Sequence, residues 1–168
     1  MAATREDLFN RLRDLGIAVR TVEHAPAFTV AESAALDREI PGGHTKNLFL
    51  KDARGQLYLV IAHAHTRVDL KRLPGVIGSG RLSFGKPDLM QEVLGVIPGS
   101  VTAFALINDK DQRVSVIFDD VLMGYNTVNC HPLVNSATTN IARDDLLRFI
   151  RACGHEPRIL YLGGNAGD

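Results

Sequence analysis

The stretch PGGHTKNLFLKD (residues 41–52), followed after ARGQ by LYLVIA (residues 57–62), decides how this chain folds. A glycine-rich turn, an apolar run, a polar turn and a second run of β-branched and aromatic residues read as a hairpin, with 47–50 pairing 57–62. One residue does not fit that simple pattern. Lys46 stands where the first strand begins, and an ammonium there must either reach water or serve a purpose.

Working outward, a second hairpin is expected from 102–107 and 114–118 across NDKDQR. On the N-terminal side, Thr4 can cap a helix whose Leu8, Leu12 and Leu15 share one face, with Gly16 as its stop. A strand over 17–22 follows, then a capping box of Thr29 and Glu32 that opens a short helix closed by Pro41-Gly42-Gly43. Residues 68–73 and 87–94 read as helices, Pro87 suiting a first turn and Gly95 a C-terminal stop. After a short strand over 135–139, Leu146, Leu147, Ile150 and Cys153 form the inner face of a last helix that stops at Gly154. A closing strand over 158–162 precedes the tail GGNAGD. Strands and helices interleave with hairpins, so the expected fold is a mixed α/β single domain over 1–168 rather than a doubly wound parallel sheet.

The composition agrees with one domain: 168 residues, 45% apolar and 23% charged. No apolar run approaches the roughly 20 residues of a membrane span, and the N-terminus lacks the apolar core of a secretory signal. A soluble protein of the cytoplasm, with no membrane partner, is expected. Cys130 and Cys153 form no CxxC pair and build neither a disulfide framework nor a zinc site.

Nineteen basic and nineteen acidic residues cancel, yet they are segregated. Residues 44–86 hold eight cations (Lys46, Lys51, Arg54, Arg67, Lys71, Arg72, Arg81, Lys86) against Asp52 and Asp69, a net +6 that leaves −6 for the rest. Such a segment can form a phosphate-binding face, or a solvated, charge-mixed surface.

Several enzyme signatures are absent: GxGxxG, GxxxxGK[ST], HExxH and GxSxG. His63 and His65 share a strand face at i, i+2 but lack further ligands nearby, and are read as exposed strand-end histidines. In GVIPGSVTAF (95–104) the glycines can bring backbone N–H groups close to a ligand, or simply connect two elements. In HPLVNSATT (131–139), His131 can donate to a substrate oxygen or stabilise the turn before Pro132. Lys46 can hold an anionic or carbonyl oxygen, or snorkel from a half-buried strand.

Taken together, EHAPAFTVAES, PGGHTKNLFLKD, VDLKRL, GSGRLSFG, GVIPGSVTAF, HPLVNSATT and DLLRFI resemble the YbaK/prolyl-tRNA-synthetase-associated editing domain family. Within it they are most similar to the free-standing ProXp-ala branch, over about residues 23–162. The resemblance implies that family's fold, a mixed, largely antiparallel, barrel-like sheet with flanking helices. It implies an aminoacyl-tRNA deacylase that acts in trans on alanine esterified to tRNA(Pro), using neither cofactor nor metal. The lysine of the family's KN motif falls on Lys46, whose ammonium would anchor the terminal adenosine's phosphate. The glycine of its GxxxP loop falls on Gly99, while Ala103 stands in place of the proline. N–H groups around Gly99 and Ser100 would hold the substrate carbonyl as charge develops. His131 would join them, with Thr29, Asn47, Val101 and Asn135 contacting substrate and Lys51 and Arg81 contacting the acceptor stem. Water would be positioned by backbone groups and the substrate's own 2′-hydroxyl. The implied partners are tRNA(Pro), through its acceptor stem and 3′ end, and prolyl-tRNA synthetase. Rival readings are a deacylase for cysteine or another small misacylated residue, a silent nucleic-acid-binding module, and a docking partner of the synthetase.

Overall fold

The computed structural model describes residues 2–26, 35 and 38–162. In chain order its elements are α1 (Arg5–Asp14), β1 (Arg20–Glu23), β2 (Gly43–Asp52), β3 (Leu57–His63), α2 (Leu73–Ile77), β4 (Leu82–Phe84) and α3 (Pro87–Leu94), then a 3-10 helix (Ala103–Asn108) and β5 (Val114–Asp119). A second 3-10 helix (Asp120–Gly124) leads to β6 (Thr127–Cys130), β7 (Ala137–Ala142), α4 (Arg143–Ala152) and β8 (Arg158–Leu160).

The strands form one mixed sheet in the order β1-β7-β6-β2-β3-β5-β8, with β4 also on β2. The hairpin expected from the opening stretch is its hub: β2 and β3 pair antiparallel with Phe49 opposite Leu59. Because β3 covers one edge of β2 throughout, the other edge is shared. Gly43 and His44 pair parallel with Val128 and Asn129 of β6, whereas Leu50, Lys51 and Asp52 pair antiparallel with Phe84, Ser83 and Leu82 of β4. Between these contacts β2 has no strand neighbour on that edge among the described residues. Lys46 and Asn47 lie in the gap.

β3 is buried at every residue but its last, which is why LYLVIA reads as a continuous apolar run rather than an alternating one. One face, carrying Phe49, Leu59, Val116 and Phe118, packs against Leu8 and Leu12 of α1, Leu94, Phe104 and Ile150. Phe104 meets Phe149 edge-on at 5.5 Å. Leu50, Tyr58, Val60 and Ile117 on the other face pack against Leu73, Ile77 and Leu162.

Local signals act as expected where the interaction is local. Thr4 and Asp7 form a reciprocal capping box on α1, and α3 runs from Pro87 to a left-handed stop at Gly95. Others shift. The first strand covers 20–23 rather than 17–22. The helix expected over 68–73 begins at Leu73, because Asp69 accepts the Lys71 N–H in a turn and Pro74 then enters the first helical turn. The strand expected over 135–139 is β7, and the last strand stops at Leu160. The capping box at Thr29 and Glu32 lies outside the described residues.

The second hairpin does not form. Residues 103–106 are all buried, which a half-exposed strand does not permit, and they coil into the 3-10 helix capped by the Thr102 hydroxyl. β5 pairs in parallel with β3 instead. Asp109 turns the chain into β5 by accepting the N–H groups of Arg113 and Val114, and it accepts a third bond from the buried His155 at 2.8 Å.

Candidate active site

Lys46 shares its face of β2 with Leu48 and Leu50 and sits opposite Ala62. Its ammonium is partly buried and makes no hydrogen bond or ion pair among the described residues. Burial pushes its pKa below the usual lysine value, and the charge of Asp119 pulls it part of the way back. Asp119, fully buried at the end of β5, accepts the N–H groups of His63 (3.0 Å) and Val121 (3.1 Å). Sequence reasoning passed over this carboxylate. Its only local signal is a first acidic residue that ends the apolar run VSVIF.

The loop before the first 3-10 helix is built by Ile97-Pro98-Gly99-Ser100. The Ser100 N–H donates to Ile97 O at 3.0 Å and Gly99 has φ +93°, the pattern of a type II turn with proline and glycine at its two central positions. The expected pairing of Gly99 and Ser100 as donors is therefore corrected. Ser100 spends its N–H inside the turn and is only 4% exposed, whereas the N–H groups of Gly99 and Val101 meet no acceptor among the described residues. A Cβ placed on Gly99 would lie 3.5 Å from Asn135 Nδ2, so these two residues, separated in sequence, are neighbours. Ala103 is fully buried, and the Thr102 cap starts the helix without the family's proline.

His131 Nδ1 lies 3.0 Å from Ala137 O. A carbonyl only accepts, so Nδ1 carries the proton. Burial lowers the pKa of His131, and nearby His24 adds to that while the Ala137 bond opposes it. The ring is neutral near pH 7 and its Nε2 bears a lone pair, so its N–H is used within its own loop and toward a ligand His131 presents an acceptor. Leu133, in the same loop, holds φ +70°, an uncommon state for a branched residue.

Asn47 points to the opposite face from Lys46, and its Oδ1 is buried without a partner. Thr29 lies outside the described residues. Lys51 and Arg81 are exposed and line a separate cleft of ≈ 620 Å³, which none of Lys46, Gly99, His131 and Asn135 lines. His63 ends β3 and stacks on Tyr125 at 5.1 Å, with His65 tilted against it. Burial pushes the thiol of Cys130 up to about 12 and that of Cys153 up to about 11, so neither is a poised nucleophile. Among the described residues no three His, Cys, Asp or Glu side chains group as metal ligands would, and no helix is long and apolar enough to cross a membrane.

The model of the aminoacyl-tRNA editing domain matches residues 24–149. Prolyl-tRNA editing protein ProX of Acetoanaerobium sticklandii is 38% identical over 159 residues, covering 94% of this chain and 97% of that protein. Prolyl-tRNA synthetase associated domain-containing protein 1 of Mus musculus is 37% identical over 162 residues, covering 93% and 95%. A crystal structure described as that of a trans-editing enzyme for prolyl tRNA synthetase superposes with TM-score 0.71 at 21% identity, covering 97% and 99%, and so shares the fold.

Proposed function

The chain belongs to the aminoacyl-tRNA editing domain family and is an aminoacyl-tRNA deacylase of prolyl-tRNA editing, and we propose that the ester it clears in trans is that of alanine on tRNA(Pro). The need for such an enzyme is physical. A synthetase pocket shaped for proline cannot exclude the smaller alanine, since each missing methylene is worth only about 1–3 kcal/mol. A second, smaller pocket that admits alanine and collides with the proline ring spares the correct product.

The observation that carries this reading is Lys46. It is a partly buried ammonium without a hydrogen-bonding partner among the described residues, held in the gap where β2 has left β6 and not yet met β4. The charge of Asp119 offsets the desolvation of this ammonium only in part, and a phosphate of the terminal adenosine would supply the rest. The Gly99 N–H would stabilise the carbonyl oxygen as water attacks. A bond forms from water to the carbonyl carbon, and the ester bond to the ribose oxygen breaks. The proton passes to the ribose oxygen, with the 2′-hydroxyl and the His131 Nε2 lone pair as relays. The site would serve translation in the cytoplasm, with prolyl-tRNA synthetase as a partner.

Single-turnover deacylation of alanyl-, prolyl- and cysteinyl-tRNA(Pro) tests this. Wild type should release alanine fastest and spare proline, and Lys46→Ala should lose on the order of 100-fold or more in rate. Faster release of cysteine would reassign the substrate. No release of any amino acid would sink the deacylase reading.

A further inference from the structure

Five of the eleven cations outside the basic segment pair with carboxylates among the described residues: Arg5 with Glu23, Arg113 with Glu92, Arg143 with Asp144, Arg148 with Asp145 and Arg151 with Glu156. Within the segment only Arg72 has such a partner among the described residues, Asp69 at 3.8 Å. Lys51, Arg81 and Lys86, three of the unpaired ones, line the ≈ 620 Å³ cleft together with Ser83 and Asp88. The Asp52 carboxylate beside them is already committed, accepting the N–H groups of Arg54, Gln56 and Gly80. The lining thus carries three cations against the carboxylates of Asp52 and Asp88, a net +1, and none of the three cations is held in an ion pair among the described residues.

The edge strand β4 forms one wall. Ser83 pairs with Lys51 and points to one side, and Phe84, opposite Leu50, points to the other. Phe84 is 61% exposed. That exposure is built in rather than loose: the Gly85 N–H donates to Phe49 O at 2.8 Å, and a Cβ on Gly85 would come within 2.3 Å of the buried Phe49 ring. Only glycine lets the chain close down there, and the closure fixes the end of β4 with its aromatic ring in water.

We propose that β4 is the subsite for an unpaired nucleotide of the tRNA 3′ end, a nucleobase stacking on Phe84 while Lys86, Lys51 and Arg81 take phosphates across the strand. This rests on the deacylase reading above. The 3′ end of a tRNA is single-stranded, and unstacked bases bind exposed aromatic faces beside cations that follow the backbone. A strand of three residues is narrow enough for one nucleotide chain to engage both of its sides. The same shortness makes β4 a poor template for an added protein strand, and three unpaired cations suit a polyanion better than a peptide.

The test is equilibrium binding of uncharged tRNA(Pro), intact and lacking its unpaired 3′ nucleotides, at several salt concentrations. Phe84→Ala should bind intact tRNA roughly 5- to 100-fold more weakly with the same salt slope, and Phe84→Trp should restore affinity. The truncated tRNA should bind wild type and Phe84→Ala alike. Lys86→Gln should reduce the slope of log K against log salt by about 0.7. The proposal is overturned if Phe84→Ala, melting like wild type, binds intact tRNA normally, loses as much on truncated tRNA, or is not rescued by tryptophan. An effect of Phe84→Ala on self-association alone overturns it too. Because uncharged tRNA is the ligand, a wild type that binds but cleaves no ester sinks the deacylase reading while leaving this readout intact. An active wild type with an unimpaired Phe84→Ala sinks only the stacking site.

Discussion

Asp119 and Lys46 face each other across the same side of the sheet from strands two apart, linked by the row in which Lys46 pairs with Ala62 and Ile61 pairs with Phe118. The carboxylate is fixed by two backbone N–H groups and is fully buried, so its charge acts on the lysine with little screening.

The pH profile of deacylation should reflect this pair together with His131. If the charged lysine and the neutral imidazole are the working forms, single-turnover rates, corrected for uncatalysed ester hydrolysis, trace a bell. Its acid limb lies below 6.5, because His131 is lowered from that value, and its alkaline limb below 10.5, because Lys46 is lowered from that one. Asp119→Asn removes the charge that supports the ammonium and should move the alkaline limb to lower pH, leaving the acid limb in place. An unmoved alkaline limb would remove Asp119 from the site's electrostatics.

Gly99→Ala separates space from backbone strain. The added methyl would meet only Asn135 Nδ2 at 3.5 Å, an ordinary contact, but φ +93° disfavours any side chain. Stability should drop by about 1–2 kcal/mol, and the deacylation rate by roughly tenfold or more as the turn reorients its N–H. A loss in melting temperature with unchanged rate would show that the turn is structural only.

Asp109 should matter for stability and not for chemistry. Burial raises its pKa, but the hydrogen bonds from His155 and from the Val114 and Arg113 N–H groups outweigh that and hold it below 3.8. A carboxylate lowered in the folded state stabilises above its unfolded pKa and loses that contribution as pH falls through the folded value. Asp109→Ala should cost about 2–4 kcal/mol in denaturant unfolding at neutral pH, since it strands two buried donors and a partly buried third, and should flatten the stability loss below about pH 4. The folded fraction should deacylate at the wild-type rate.

Gly85→Ala should destabilise by about 1–3 kcal/mol, because its Cβ would collide with the Phe49 ring in the core. Hydrogen exchange should rise at β4, whose only strand partner among the described residues is β2. Unchanged protection there would mean that the ring moves aside at no cost.

What the sequence alone determined was whatever depends on near neighbours: the Thr4 cap of α1, the span of α3 from Pro87 to its stop at Gly95, the β2–β3 hairpin, and the anomaly of Lys46 itself. Caps and tight turns are made by groups three or four residues apart, so their chemistry is visible in a short window. Only the tertiary structure decided that AFALIN coils instead of pairing, since a fully buried apolar run fits either state. It alone decided that β2 divides one edge between β6 and β4, that Asp119 answers Lys46, that Ser100 is spent inside its own turn, and that Phe84 stands in water. Each of those is a meeting of groups whose partners are chosen by how distant strands and loops pack, and no local pattern encodes which distant residue will arrive.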